Sequence, residues 1–351
     1  MRIARSFLLC AAVMLAAHAS AQVSLTPPGA APEKPDTPPA KSAPAKLKIK
    51  PVAKRPAPEP AQPAAPAPAE PDNPNVDLVY GAYQRGLYKT AFDLATKRVQ
   101  EKNDPKAMTM LGELYKNGFG VKRDVAKAAE WYKRAADAGD REAMFELGMI
   151  RLEGRSGVAN RPEAAKLFAS SAKLGNTKAA YNLALLYLGG ETLPQDVRRA
   201  AELFKVAADA GNPAAEYALA TFYKEGTGVP KDLEKAGRLL QAATLAGNID
   251  AEVEYAIALF NGSGMPKNEA AAVELLRKAA RQNNPIAQNR LARVLASGNG
   301  APVDKVAALK WHTIAKTAGK GDPELDEVLS TMTADEKAKA SVEVHKWFGT
   351  K

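Results

Sequence analysis

An all-α solenoid built from repeated pairs of helices is the fold class that the amino-acid sequence predicts. Three columns of small residues support this prediction, because each recurs every 36 positions through six successive units. The columns are Ala107, Ala143, Ala179, Ala215, Ala251 and Ala287; Ala128, Ala164, Ala200, Ala236, Ala272 and Ala308; and Gly118, Gly154, Gly190, Gly226, Gly262 and Gly298. A fixed period of roughly 20–50 residues is typical of repeat proteins, in which each unit buries its apolar face against its neighbours.

Each unit is predicted to begin with a capped helix, as the unit at 104–139 illustrates. Asp104 opens it, and aspartate or asparagine fills the same column in all six units. A short side-chain oxygen at this place accepts hydrogen bonds from the free amides of the first turn. Ala107 and Leu111 then begin a buried stripe. Gly118 is expected to end the helix, because glycine adopts the left-handed conformation without a steric penalty.

A second helix is predicted to follow in each unit after a loop of about seven residues. Asp124 begins a second column of capping residues, and Ala128 starts the inner face of this helix. Gly139 closes the unit, and Asn283 takes the place of glycine in the one unit that lacks it. Each unit is therefore expected to be an αα-hairpin.

The pattern from Ala107 to Gly139 resembles the Sel1-like repeat, a family of the tetratricopeptide superfamily. It consists of Ala-x-x-x-Leu-Gly-x-x-Tyr-x-x-Gly-x-Gly-Val, then Asp-x-x-x-Ala-x-x-Trp-Tyr-x-x-Ala-Ala-x-x-Gly. The resemblance covers residues 104–319 and implies a right-handed α-solenoid of six repeats. Residues 76–103 resemble a degenerate N-terminal capping repeat, and residues 320–351 are expected to form C-terminal capping helices, because terminal units must cover open faces.

The first 21 residues have the order of a secretory signal peptide. Arg2 and Arg5 precede an apolar run from Phe7 to Ala17, and Ala19-Ser20-Ala21 follows. We therefore predict cleavage after Ala21, a periplasmic or secreted mature protein, and no membrane insertion after cleavage.

Residues 22–75 are predicted to form a disordered linker rich in proline, alanine and lysine. Of the 25 prolines in the chain, 16 lie between Pro27 and Pro74. Proline fixes φ and lacks the amide donor, so such a segment favours a stiffened, polyproline-like tether over helix or sheet.

The formal charge of +10 is spread along the chain, and acidic residues alternate with basic ones on the predicted helices. This distribution indicates a solvated surface. Binding of nucleic acid would require a clustered basic stripe with stacking aromatics, which the sequence does not contain. Nucleic acid is therefore not an expected partner.

No residue pattern indicates catalysis, a cofactor or a metal site. The only cysteine, Cys10, lies within the predicted signal peptide. His312 occupies a repeat column of packed apolar and aromatic residues, so a structural role is expected, and His345 has no second histidine nearby in sequence. Motifs with metal-ligand spacing and the nucleophile elbow of hydrolases are both missing from the sequence. We therefore predict a non-enzymatic protein without cofactor or metal.

The predicted binding site lies on the first helices of the units, which line the concave groove in the superfamily that the sequence resembles. Two neighbouring columns vary between units while holding many polar or aromatic residues. The candidate partner-binding residues are Phe145, Glu146, Tyr181, Asn182, Tyr217, Glu254 and Arg290. Rigid aromatics beside amide and charged groups suit an extended peptide or a partner helix. The alternative is that Tyr181 and Tyr217 only pack between repeats.

A protein–protein interaction scaffold or regulator in the bacterial cell envelope, binding an envelope enzyme or a membrane sensor, is the function that the resemblance implies. One alternative is a protein that binds peptidoglycan or another envelope polymer, with a contribution from the basic linker. A second alternative is a β-lactamase-like hydrolase, because some Sel1-like proteins have been regarded as penicillin-binding or β-lactam-hydrolysing. Those proteins carry paired cysteines in each repeat, and this chain does not.

Overall fold

The computed structural model describes residues 77–349, and every regular element in this part of the chain is an α-helix. Sixteen helices, α1 to α16, follow one another, and consecutive helices pack in pairs. The predicted all-α solenoid is therefore confirmed for the described residues. The predicted signal peptide (1–21) and linker (22–75) lie outside them.

Each repeat consists of a first and a second helix, and all twelve of these helices contain 13 residues. The first helices are α3 (Pro105–Asn117), α5 (Arg141–Glu153), α7 (Thr177–Gly189), α9 (Pro213–Glu225), α11 (Ile249–Asn261) and α13 (Pro285–Ser297). The second helices are α4 (Val125–Asp137), α6 (Arg161–Lys173), α8 (Val197–Asp209), α10 (Leu233–Leu245), α12 (Glu269–Arg281) and α14 (Lys305–Thr317). The flanking helices are α1 (Leu78–Gln84), α2 (Tyr88–Lys102), α15 (Pro323–Ser330) and α16 (Ala334–Gly349).

Side-chain caps set the limits of the repeat helices where the sequence predicts them. The carboxylate of Asp104 accepts from the amide of the second residue of α3 at 2.9 Å, and that of Asp124 accepts from the third residue of α4 at 3.0 Å. Gly118 follows α3 with a φ of 74°, and Asn283 adopts 66° where the other repeats have glycine. The uniform helix length follows from these repeated stop and start signals.

Close contact between neighbouring helices depends on the two alanine columns. Their members, in both the first and the second helices, are at most 3% exposed. Each helix of the array packs mainly against the helices that precede and follow it in sequence. A methyl side chain lets two helix backbones approach closely, so these columns set the spacing of the whole array.

Glycine within a first helix makes room for an aromatic ring from the second helix of the same repeat. A Cβ added to Gly112 would lie 2.6 Å from Cε1 of Tyr132, and one added to Gly148 would lie 2.7 Å from Cε1 of Phe168. Both rings are completely buried. Glycine normally weakens a helix interior, and here close packing against the ring accounts for it.

Helices that depart from the 36-residue pattern flank the array on both sides. The hairpin of α1 and α2 packs against α3, and α16 packs against α14. Trp347 of α16 meets Trp311 of α14 edge to face, with ring centroids 5.1 Å apart.

Replacing Ala200 with leucine is expected to lower the free energy of unfolding by roughly 1–3 kcal/mol, because the added methylenes would overpack a fully buried contact. Urea unfolding followed by circular dichroism measures this change. The same substitution at Ala169, which is exposed on α6, is the control and should change stability by no more than about 0.5 kcal/mol. Equal effects at the two positions would contradict a spacing set by the alanine column.

Candidate partner-binding face

Side chains of adjacent first helices meet along one face of the array. Lys116 Nζ lies 2.9 Å from Glu146 Oε2, and Lys224 Nζ lies 2.9 Å from Glu254 Oε2. Each pair joins the first helix of one repeat to that of the next, and the two pairs occupy equivalent positions three repeats apart. The three helix positions that share this surface define what we call the first-helix face. Its residues are Met110, Glu113 and Lys116; Glu146, Met149 and Leu152; Asn182, Leu185 and Leu188; Ala218, Thr221 and Lys224; Glu254, Ile257 and Phe260; and Arg290, Arg293 and Ala296.

The first repeat carries a hydrogen-bonded charge network on this face. Lys116 Nζ lies 2.6 Å from Glu113 Oε2, and the hydroxyl of the buried Tyr132 donates to the same carboxylate at 2.8 Å. Burial opposes ionisation of Glu113, but its hydrogen bonds with Lys116 and Tyr132 outweigh burial and lower its pKa. Burial likewise opposes the charge on Lys116, and the bonds to Glu113 and Glu146 raise its pKa. The network therefore combines charged groups with the neutral hydroxyl of Tyr132, and its members hold one another in place.

The predicted aromatic residues pack partly or wholly into the interior. Phe145 is 8% exposed and lies 5.9 Å from Phe168 between ring centroids. Tyr181 is half-buried against Phe204 at 5.5 Å. Tyr217 is half-buried as well, and burial, followed by nearby carboxylates, raises its pKa. Tyr181 and Tyr217 thus combine packing between helices with a remaining exposed surface, whereas Phe145 offers almost none.

The predicted polar residues have different environments on the first-helix face. Glu146 and Glu254 form ion pairs with Lys116 and Lys224, as described above. Asn182 donates to the carbonyl oxygen of Lys178 in its own helix at 2.8 Å. Arg290 is half-buried and forms neither a hydrogen bond nor an ion pair with any residue in 77–349. The structure therefore brings Glu254 and Arg290 onto neighbouring helices and leaves only the arginine without a direct partner among the described residues.

An apolar stretch lies between the two lysine–glutamate pairs. Met149 and Leu152 of α5 and Leu185 and Leu188 of α7 are all half-buried there. None of these four residues is among the predicted site residues, because methionine and leucine in a helical repeat are expected in the core. Aligning the 36-residue units would have shown them at the positions where Lys116 and Glu113 are charged.

Two buried carboxylates also escaped the sequence analysis. Glu216 and Glu252 are 8% and 1% exposed, and Gln288 occupies the same position in the next repeat. Lys278 Nζ reaches Glu252 Oε2 at 2.5 Å. Glu216 has no such lysine: Ala242 stands where Lys278 stands one repeat later, and Glu216 Oε2 is buried without a hydrogen bond. Burial raises the pKa of Glu216. The signal was present in the sequence, since this column holds only apolar residues in the first three repeats.

The remaining chemistry-bearing groups have structural contacts. His312 is buried, with Nε2 2.8 Å from a carboxylate oxygen of Asp326, and His345 Nδ1 lies 2.7 Å from the carbonyl oxygen of Ser341. Across residues 77–349, His, Cys, Asp and Glu side chains form no group of three that could hold a metal ion. No helix in that range combines the length and the apolar character that crossing a membrane requires.

Repeated helical hairpins, whose first helices together form the first-helix face, define this protein as a helical-repeat scaffold. Proteins of this class generally mediate protein–protein interactions. The model of the Sel1 repeat matches six consecutive stretches, which together cover more than half of the chain: residues 105–140, 141–176, 177–212, 213–248, 249–284 and 285–320. The chain therefore belongs to the Sel1 repeat family, as the sequence resemblance indicated.

Solved structures of other proteins show the same fold. One is the crystal structure of c5321, a protective antigen of uropathogenic Escherichia coli strains with an SLR fold, with a TM-score of 0.68 and 24% identity. That alignment covers 78% of this chain and 61% of the other, so this chain spans less than two thirds of the E. coli protein. Another is a Sel1 repeat protein from Oxalobacter formigenes, with a TM-score of 0.58 and 24% identity over 68% of this chain and 94% of the other. A comparison with curated proteins gave no match.

Introducing lysine at position 242 is expected to raise the free energy of unfolding by about 1–2 kcal/mol. Ala242→Lys would give the buried carboxylate of Glu216 the partner that Lys278 gives Glu252, and an unpaired buried charge is costly. Thermal and urea unfolding at neutral pH measure the gain. Val206→Lys is the control, because it adds a lysine at the same helix position one repeat earlier, where the facing residue is Ala180. An equal gain in both variants would show that the added lysine acts without Glu216.

Replacing Glu216 with glutamine is expected to stabilise the protein by about 1 kcal/mol at neutral pH and by progressively less at acidic pH. The folded-state pKa of Glu216 is raised, so its contribution to stability is largest when the group is protonated and is lost as pH rises through that pKa. Glutamine stays neutral throughout, and Gln288 at the equivalent position donates to the carbonyl oxygen of Ala280 at 3.1 Å.

Melting temperatures of wild type and Glu216→Gln between pH 4 and pH 8 test this dependence. Glu252→Gln is the control, because it removes the ion-pair partner of Lys278 and should give no gain at neutral pH. A Glu216→Gln variant whose difference from wild type does not change with pH would contradict the assignment.

Proposed function

We propose that this protein is a non-catalytic scaffold that binds a partner protein along its first-helix face. The observation that supports this most directly is the apolar stretch of Met149, Leu152, Leu185 and Leu188, whose side chains are half-buried rather than enclosed. Apolar side chains bordered by charged groups are typical of sites that bind a peptide or an amphipathic helix.

Preorganisation is the physical advantage of this surface. The pairs Lys116–Glu146 and Lys224–Glu254 join successive first helices on either side of the apolar stretch. A surface whose side chains are already ordered loses less conformational entropy when a partner binds. We infer that an extended segment or a helix of the partner lies along this first-helix face, which the resemblance to the tetratricopeptide superfamily assigns to the concave side.

The bacterial cell envelope is the compartment that we propose for this interaction. The charged, apolar and small-residue order of residues 1–21 supports export, and the proline-rich composition of 22–75 suits a stiffened extension that precedes the repeats. An envelope enzyme or a membrane sensor is the partner class that we favour, and the scaffold would regulate it by binding.

An in vivo crosslinking pull-down from the envelope tests the proposed function. The variant Tyr181→Ala/Asn182→Ala/Leu188→Ala truncates Asn182 and Leu188 of the first-helix face on α7 together with the adjacent, half-buried Tyr181. Loss of a protein captured by the wild type is expected. The matched control is Glu202→Ala/Lys205→Ala/Val206→Ala, three exposed positions on the adjacent α8. Circular dichroism and thermal unfolding verify that both variants are folded.

The outcomes separate the candidate functions. A protein retained by the α8 control and lost by the α7 variant supports a scaffold that acts through the first-helix face. Recovery of cell-wall fragments in place of a protein favours an envelope-polymer binder. Identical partners for all three forms would exclude the first-helix face as the binding surface.

A further inference from the structure

Arg290 is the charged residue of the first-helix face whose binding capacity is unused within the described residues. Its neighbour Arg293 is held by Asp322 at 2.5 Å and by Glu324 at 2.9 Å. Asn289 donates to the same Asp322 carboxylate at 3.2 Å. Arg290 is half-buried among these groups and has neither a hydrogen bond nor an ion pair with any residue in 77–349.

The repeat pattern explains why no direct partner is present. At the position of Arg290, two other repeats have glutamates that are tied to a lysine of the preceding repeat, as in Lys224–Glu254. In the sixth repeat the glutamate is replaced by Arg290, and the preceding repeat has Phe260 in place of the lysine. Phe260 is buried and has no charged or hydrogen-bonding group, so it cannot form an ion pair. Arg290 is thus positively charged where the equivalent residues are negatively charged, and the preceding repeat lacks a charged side chain at the position of the partner lysine.

The surroundings of Arg290 favour an anionic ligand. Burial lowers the pKa of Arg290, the nearby Arg293 lowers it further, and Glu254 and Asp322 oppose both effects. Arginine nevertheless remains protonated in proteins, so a partly desolvated cation is present on this face. Its guanidinium carries five N–H donors in a planar fork, for which a carboxylate that accepts two hydrogen bonds is the best-matched partner.

We propose that Arg290 binds the side-chain carboxylate of an acidic residue in the partner segment that lies along the first-helix face. This inference rests on the proposed function and adds a specificity element to it. An aspartate or glutamate of the partner would supply the acceptor that the sixth repeat lacks, and a lysine or arginine at the same place would face Arg290 and Arg293 and be rejected.

Selection of random peptides displayed on phage against the purified protein tests the proposal. With the wild type, we expect peptides that share an acidic residue at a fixed distance from their apolar residues. Arg290→Gln should bind a selected peptide at least about tenfold more weakly, because one charge-assisted bidentate contact is lost. Arg290→Glu should instead select peptides with lysine or arginine at the acidic position.

Arg238→Glu is the control for Arg290→Glu. Arg238 is exposed on α10, and the two substitutions change the net charge by the same amount. This control should select the same peptides as the wild type. A thermal midpoint of Arg290→Gln close to that of the wild type separates loss of binding from loss of folding.

Each remaining outcome overturns the proposal. Selected peptides with no acidic position, or equal affinity for wild type and Arg290→Gln, would show that Arg290 does not contact the ligand. If those peptides are still lost with Tyr181→Ala/Asn182→Ala/Leu188→Ala, the proposed function stands without this specificity element. If the wild type selects no peptide, both the role of Arg290 and peptide recognition by the first-helix face are wrong.

Discussion

Close packing of neighbouring helices at the alanine columns determines where every other side chain of this protein lies. Residues such as Ala200 and Ala251 are fully buried at helix contacts, and the same contact recurs in each repeat. Because the spacing and length of the helices are uniform, equivalent positions of successive repeats fall on the same side of the array. A surface that extends over six repeats therefore results from a local constraint on side-chain size.

This regularity gives departures from the pattern a physical meaning. Lys116–Glu146 and Lys224–Glu254 are equivalent pairs, and they show that an ion pair forms between adjacent first helices when these two positions hold lysine and glutamate. Arg290 stands at the glutamate position of such a pair, and no ion pair forms there within residues 77–349. Comparison with equivalent positions of the same chain thus distinguishes a charged residue that forms an ion pair between repeats from one that forms none within residues 77–349.

The sequence predicted the local features of the fold, because those depend on residues close to one another in the chain. The cap at Asp104 and the left-handed Asn283 are examples, and both depend only on residues at a single helix end. The candidate face was harder to predict, since it depends on the direction in which each side chain leaves its helix. Phe145 points into the core although its column looked variable and aromatic, and the ion pair between the buried Glu252 and the exposed Lys278 joins residues 26 positions apart.

Polar substitutions in buried positions are concentrated in the last three repeats. The column that holds Met108 and Met144 near the N-terminal end holds Glu216, Glu252 and Gln288 towards the C-terminal end. In a linear array, stability is approximately a sum of repeat and nearest-neighbour contributions, so the repeats that bury these polar groups gain less from apolar burial than the others. Arg290 lies in the same part of the array. A partner that supplies a carboxylate there would add favourable contacts to these repeats, and so would couple binding to the order of the C-terminal repeats.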